Sequence, residues 1–238
     1  MSATTTTITV RVLAYGGKFI GEPVGFAKVE IFQPGSSTPL ASGLANQGLL
    51  PNTDGSGVTQ LIMGQPYIWG TPIDSSQAVS FTADISLSEP TVLLFVATSL
   101  ANPEIKEYSY RRVVPGVALT GDRAVVLVLY GLLTNLLSPS PNQSGISPGV
   151  PVTITAQVRM MCGCKIENHY WPVANFDVKA LISLCGQTQT LTLNYTGTPS
   201  EFSAQYKFPS EGTYTISILA TQTDGNVGIT YPQVISVS

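Results

Sequence analysis

The amino-acid sequence predicts an all-β protein built from two antiparallel β-sandwiches in tandem. Three observations support this prediction: runs of alternating apolar and polar residues, turn-forming residues between the runs, and one proline-rich segment near mid-chain. No stretch shows a sustained helical period, so we do not expect the crossover helices of an α/β fold. With 238 residues, the chain is long enough for two domains that each bury their own core.

The first predicted strand shows the alternation clearly. Between Thr7 and Leu13, the apolar residues Ile8, Val10 and Val12 occupy every second position, which is typical of a half-buried strand. Clusters of Gly, Pro, Asn and Asp separate it from the strands that follow. The further strands predicted in the first half are residues 27–32, 59–63, 78–85, 91–98 and 124–130.

The longest apolar segment runs from Ala124 to Leu137 and is interrupted by Gly131, Thr134 and Asn135. It is shorter than the roughly 20 residues that a membrane-spanning helix needs. We therefore predict a buried strand with a short apolar extension, and no membrane span.

The predicted domain boundary is the proline-rich segment 138–151, which lacks apolar periodicity and suits an extended spacer. The first domain is then 1–137 and the second 152–238. Alternation resumes after the spacer, and its six or seven strands in under 90 residues fit an immunoglobulin-like sandwich. The predicted strands of the second half are residues 152–158, 176–182, 190–195, 202–208, 213–220 and 233–237.

Four motifs follow one another in the first domain: Gly25–Phe32, Leu40–Asn46, the Asp-Gly hairpin of Thr53–Val58 and the Gly-x-x-Tyr strand of Gly64–Trp69. With these motifs, about residues 8–75 resemble the carboxypeptidase regulatory-like and transthyretin-type sandwich. The resemblance implies a seven-stranded Greek-key sandwich that serves as an accessory, adhesive or pilin-like module.

The second domain resembles bacterial immunoglobulin-like domains over Pro209–Ala220 and Asp224–Gly228. In that family the Gly-x-Tyr motif places an aromatic ring under the sheet at a corner, and the Asp-Gly-Asn turn starts the last strand. The resemblance concerns the fold and assigns no activity.

Charge and composition restrict the partners. Only 11% of the residues are charged, the formal net charge is −3, and no basic run provides a phosphate-binding surface, so we do not expect nucleic acid. Residues 1–7 lack the basic and apolar parts of a secretory signal. A charge-poor, Thr-rich β protein is nevertheless typical of surfaces, and we expect an extracytoplasmic or cell-surface location.

All three cysteines and the only histidine lie within 24 residues, which is the one unusual cluster in the sequence. A turn at Gly163 would bring Cys162 and Cys164 together as two thiolate ligands for a soft metal. His169 and Cys185 would complete a zinc or copper site. Adjacent Met160 and Met161 suit copper(I), but side chains of this kind are more often core filler.

A disulfide is the preferred alternative to the metal site, with no cofactor bound. Cys185 would pair with Cys162 or Cys164, leaving the third thiol reduced. In an extended strand, Cys162 and Cys164 would be about 6.6 Å apart, near the upper limit for a disulfide with each other.

We expect no catalytic residues. A nucleophile needs a base, and His169, the only histidine, lies directly before Tyr170 and Trp171, where it could equally cap a loop. Aspartates are dispersed along the chain, mostly at predicted turns or solvent faces. They are Asp54, Asp74, Asp84, Asp122, Asp177 and Asp224.

The sequence thus favours a non-enzymatic structural or adhesive protein that self-assembles or binds other surface proteins. One route is strand addition through residues 4–13. The alternatives are a metal- or ligand-binding accessory protein and a noncatalytic subunit of an enzyme complex. Tyr108, Tyr110 and Arg111-Arg112 form the best exposed candidate patch, either a stacking platform for carbohydrate or a charged edge strand.

Overall fold

The computed structural model describes residues 2–16, 20, 26–46, 78–141, 143–168 and 171–238. Strands and turns dominate this part of the chain, which confirms the predicted all-β class. It divides into two compact units, residues 1–130 with 161–163, and residues 131–160 with 164–238. Among the described residues, no helix is long and apolar enough to cross a membrane.

The first unit contains seven described strands in two sheets. One sheet has the order β4-β1-β7 and the other the order β3-β2-β5-β6. Neighbouring strands are antiparallel except β1 and β7, which are parallel. The strands are β1 (Thr4–Ala14), β2 (Ala27–Phe32), β3 (Ala41–Leu44), β4 (Ser80–Leu87), β5 (Thr91–Ser99), β6 (Lys106–Val113) and β7 (Val125–Leu129).

The core of the first unit follows from the alternation of its strands. Ile8, Val10 and Val12 of β1 are fully buried, as the sequence predicts. The opposite face of β1 is polar, and Thr7 donates a hydrogen bond from Oγ1 to Oδ1 of Asp84 at 2.6 Å. Other strands contribute to the buried layer in the same way. Their fully buried side chains include Val29, Ile31, Leu93, Phe95 and Leu129.

Strand β1 is paired on both sides, so strand addition through residues 4–13 is wrong. Residues 4–11 pair with β4 and residues 10–14 pair with β7. Where β7 does not reach, Leu119 exchanges main-chain hydrogen bonds with Thr7 and Thr9, at 2.9 and 2.8 Å. From Thr7 to Leu13, both sides of β1 are therefore already paired, and a neighbouring chain finds no free edge there.

The second unit contains eight described strands. Its hydrogen-bonded order is β14-β13-β10-β11-β12-β9-β8, and β15 also pairs with β13. Strand β11 joins two layers, because its first part pairs with β10 and its last two residues pair with β12. The strands are β8 (Leu132–Ser138), β9 (Pro151–Met160), β10 (Phe176–Leu184), β11 (Gln187–Tyr195), β12 (Glu201–Lys207), β13 (Gly212–Gln222), β14 (Val227–Ile229) and β15 (Gln233–Val237).

The two layers of the second unit enclose an apolar core with an aromatic corner. Tyr214, at the start of β13, is buried, and its hydroxyl donates to the main-chain carbonyl of Ser210. This arrangement is the tyrosine corner of immunoglobulin-like sandwiches. The turn 223–226 confirms the turn predicted at Asp224–Asn226, but it leads to the short strand β14 and not to the last strand, β15, as the resemblance implies.

The division between the units differs from the predicted boundary at 138–151. It falls after Tyr130, and Leu132–Ser138 forms β8, which pairs with β9 inside the second unit. Gly131 has a φ of 146°, a conformation that side chains disfavour, and it separates β7 from β8 within the apolar run. The proline-rich segment is therefore the β8–β9 connection, and residues 124–137 form two strands instead of one.

Part of the first resemblance cannot be compared with this architecture. Residues 47–77, which carry the Asp-Gly hairpin, the predicted strand 59–63 and the Gly-x-x-Tyr strand, lie outside the described residues. The transthyretin-type assignment therefore stays a prediction. The described part of the first unit does agree with a two-sheet sandwich.

Candidate functional site

The cysteine cluster is placed only in part. Cys162 is buried, Cys164 is half-buried, and its carbonyl accepts a hydrogen bond from the Met160 amide at 3.1 Å. Cys185 is exposed, and none of the three forms a disulfide. His169 lies outside the described residues. The disulfide and the four-ligand metal site both stay predictions, and the described residues contain no group of three His, Cys, Asp or Glu that could hold a metal.

Cys185 occupies the tip of a tight hairpin. Leu184 of β10 pairs with Gln187 of β11, leaving Cys185 and Gly186 as the two-residue loop. Their φ angles of 49° and 81° are those of a type I′ turn, which matches the twist of the flanking strands. Met160 and Met161 are fully buried, which confirms the prediction that they fill the core.

Described aspartates serve the local structure. Asp84 accepts from Thr7, Asp177 pairs with Lys179, and Asp224 accepts from the main-chain amide of Asn226. These contacts confirm their predicted place at turns and solvent faces. Asp54 and Asp74 lie outside the described part of the chain.

Strand β6 presents the most exposed aromatic side chains of the first unit's described strands. Tyr108 is 55% and Tyr110 64% exposed. Within the described residues, β6 pairs only with β5, so it is an edge strand of its sheet. The sequence predicted an exposed tyrosine patch or a charged edge strand here, and the structure shows both. We call residues 106–112 of β6 the tyrosine edge.

The outward backbone groups of the tyrosine edge can be assigned from one hydrogen bond. The Ser99 amide donates to the Ile105 carbonyl at 3.0 Å, so these two residues form a hydrogen-bonded antiparallel pair. Such pairs alternate along a ladder, which directs the amides and carbonyls of the odd-numbered β6 residues toward β5. The amides and carbonyls of Tyr108 and Tyr110 therefore point away from the sheet.

Apolar side chains extend the tyrosine edge across the sheet. Tyr110 is opposite Leu94 of β5, and Leu94 is opposite Phe32 of β2. Phe32 and Leu94 are half-buried on this face. Val92 is 46% exposed in the next row, where it lies opposite Arg112. The result is an accessible apolar and aromatic strip that ends in a basic rim.

The face of β6 opposite the tyrosines carries one acidic and one basic side chain. Glu107 and Arg111 are on the same side of the strand, two positions either side of Ser109. Burial raises the pKa of the Glu107 carboxyl, while a hydrogen bond from the Tyr108 main-chain amide lowers it. Within the described residues, neither Arg111 nor Arg112 forms an ion pair.

The tyrosine edge combines three features that suit protein binding. Within the described residues, it offers main-chain donors and acceptors that no other strand uses, rigid aromatic side chains and guanidinium groups outside any ion pair. The sequence identifies the side chains of the tyrosine edge. It does not identify which backbone groups of β6 point outward, because this depends on the pairing of β6 with β5. No signal within KEYSYRRV could fix that pairing, because both faces of this strand carry polar residues.

Comparisons with known proteins give only distant likenesses. No family model matches the chain, and no curated protein does. The fibronectin(III)-like modules of Clostridium thermocellum CbhA align with 14% identity over 98% of this chain and 93% of their own, at a TM-score of 0.31. The Bacillus cereus major pilin subunit BcpA aligns with 11% identity over 98% of this chain and 69% of its own, at a TM-score of 0.32.

An engineered protein is matched with 17% identity over 51% of this chain, at a TM-score of 0.32. This chain covers only 24% of that protein's length. These similarities are too low to carry an activity or a partner over to this chain.

Proposed function

We propose that this protein is a non-enzymatic β-sandwich protein of an extracytoplasmic or cell-surface assembly, and that the tyrosine edge is its protein-binding surface. The observation that carries the proposal is the outward register of Tyr108 and Tyr110 on an exposed edge strand. Exposed tyrosines supply contact area with little loss of side-chain entropy, and the edge supplies main-chain hydrogen bonds.

The chemistry of the edge favours another polypeptide over a sugar. A stacking platform for carbohydrate needs only the tyrosine rings, whereas the outward amides and carbonyls of β6, which pair with no other described strand, match an extended strand. Charged side chains on an exposed edge strand disfavour pairing with most other strands. The charges of β6 therefore favour a partner strand whose charges are complementary to them.

Photo-crosslinking in cells that express the full chain tests the proposal. A photo-reactive phenylalanine derivative replaces Tyr110, and the matched control carries it at Thr192, an exposed position of β11 in the second unit. We expect protein adducts from position 110 and few from position 192. Equal yields at both positions, or adducts of position 110 with polysaccharide only, would contradict the proposed function.

A further inference from the structure

We propose that the tyrosine edge binds a second copy of this chain, β6 against β6, in an antiparallel dimer with its twofold axis at Ser109. This inference rests on the proposed function, because it names the partner of the same edge. Antiparallel strands related by a twofold axis present the same patch to each other, so one sequence must complement itself.

The outward register restricts how two β6 strands can pair. Only residues whose backbone groups point outward can form hydrogen-bonded pairs across the new interface, and these are the even-numbered residues. Pairing Tyr108 with Tyr110 of the other copy uses all four of them, from Lys106 to Arg112. About eight main-chain hydrogen bonds then join the copies, two for each hydrogen-bonded pair.

Side-chain charge supports this register over its neighbours. With Ser109 on the axis, Glu107 of each copy lies directly opposite Arg111 of the other, which gives two opposite-charge pairs. A shift of two residues places Glu107 opposite Ser109 or Val113 and loses both pairs. A shift of one residue brings an outward backbone group against an inward one and breaks the ladder.

The register centred on Ser109 also brings the exposed tyrosines of the two copies into contact. Tyr108 of each copy lies across from Tyr110 of the other, so four exposed rings gather on one face and cover one another. Lys106 and Arg112 oppose each other at the two ends of the interface. Both are exposed, so solvent and salt screen their repulsion.

Glu107 has a second role in the separate chain. Its carboxylate accepts a hydrogen bond from the Tyr108 amide, one of the outward groups that pairing needs. In the dimer, the Tyr108 amide donates to the carbonyl of the opposite Tyr110, and Glu107 turns to the opposite Arg111. The same carboxylate therefore occupies the Tyr108 amide in the monomer and favours the register centred on Ser109 in the dimer.

A charge exchange tests the inference with the full chain. Sedimentation equilibrium compares the wild type with Glu107→Arg, Arg111→Glu and the double variant that carries both changes. Each single change brings like charges together twice, and we expect it to weaken dimerisation about tenfold or more. The double variant restores opposite charges and is expected to dimerise again. Circular dichroism checks that each variant stays folded.

The outcomes separate this inference from the proposed function. A double variant that stays monomeric while the wild type dimerises would overturn the register at Ser109. A wild type that is monomeric at every concentration would overturn the second copy as partner. In that case, crosslinks from position 110 to a different protein would leave the proposed function standing, and the absence of protein crosslinks there would remove both.

Discussion

The hydroxyl of Tyr214 donates a hydrogen bond to the main-chain carbonyl oxygen of Ser210 at 3.0 Å. The Tyr214 ring is buried and meets Phe208 edge-on, with 4.8 Å between ring centroids. The bond therefore fixes the entry of β13 into the core of the second unit. The buried ring holds the hydroxyl in place, and removing this hydroxyl leaves the Ser210 carbonyl without its donor.

Tyr214→Phe should lower the free energy of unfolding of the second unit by about 0.5–1.5 kcal/mol, the usual net value of one hydrogen bond. Urea denaturation measures this change. Tyr206→Phe is the matched control, because its hydroxyl donates to Gln189 Oε1 at an exposed site, and it should cost less. Equal losses in the two variants would show that the Tyr214 hydroxyl has no special structural role.

The side chain of Asn226 binds the backbone of Gly131, the first residue of the second unit. Its Oδ1 accepts a hydrogen bond from the buried Gly131 amide at 2.7 Å, and the side chain is 2% exposed. Asn226→Ala leaves that amide without its partner and should cost about 1–3 kcal/mol. Hydrogen exchange of the Gly131 amide should accelerate as well. Asn194→Ala, at an exposed position of β11, should stay within about 0.5 kcal/mol of the wild type.

A close backbone contact requires glycine at position 228. A Cβ there would lie 2.2 Å from the carbonyl oxygen of Leu132, because β14 packs against the start of β8. Gly228→Ala should therefore destabilise the second unit by about 1–3 kcal/mol, the usual range for overpacking. The neighbouring Val227→Ala is the control, since Val227 is 47% exposed. A thermal melt that is unchanged in Gly228→Ala would contradict the contact.

How far the sequence predicts this fold depends on the environment of each strand. Strand β2 was predicted over Ala27–Phe32, because its alternating side chains meet a core on one side and solvent on the other. The boundary of β8 was missed, because apolar residues continue through Gly131 without a polar interruption. Among the described strands, β1 is paired on both sides and β6 on one side only, and the sequence could not predict this because it depends on pairings between distant segments.

The sequence predicts which residue types form the candidate site, but it does not predict how the structure arranges them. Tyr108 and Tyr110 stand out as aromatics beside two arginines, and the structure places them on an edge. The cysteine pattern offered a stronger chemical signal, yet spacing along the chain does not fix distances between side chains on different strands.

Glu107 should make the stability of the monomer depend on pH. Its folded-state pKa is raised above the ordinary value of 4.5, chiefly by burial, so the folded chain holds the proton more tightly than the unfolded chain. The resulting stabilisation is present below the unfolded pKa and is lost as pH rises through the folded pKa. At concentrations at which the chain is monomeric, Glu107→Gln should therefore melt higher than the wild type at pH 7, and the difference should shrink at pH 3. A variant that melts lower at pH 7 would contradict this sign.

Replacing Tyr110 separates main-chain pairing from side-chain contact in the dimer. Proline lacks an amide hydrogen, but the Tyr110 amide points away from β5, so Tyr110→Pro leaves the β5–β6 ladder intact. It removes two of the hydrogen bonds between the copies, one on each side of the axis, and its ring obstructs the approach of the second strand. Tyr110→Ala loses the same aromatic ring but keeps the amide. Sedimentation equilibrium should show a weakened dimer for Tyr110→Ala and a monomer for Tyr110→Pro, whereas equal dimerisation of the two variants would mean that side chains alone hold the copies together.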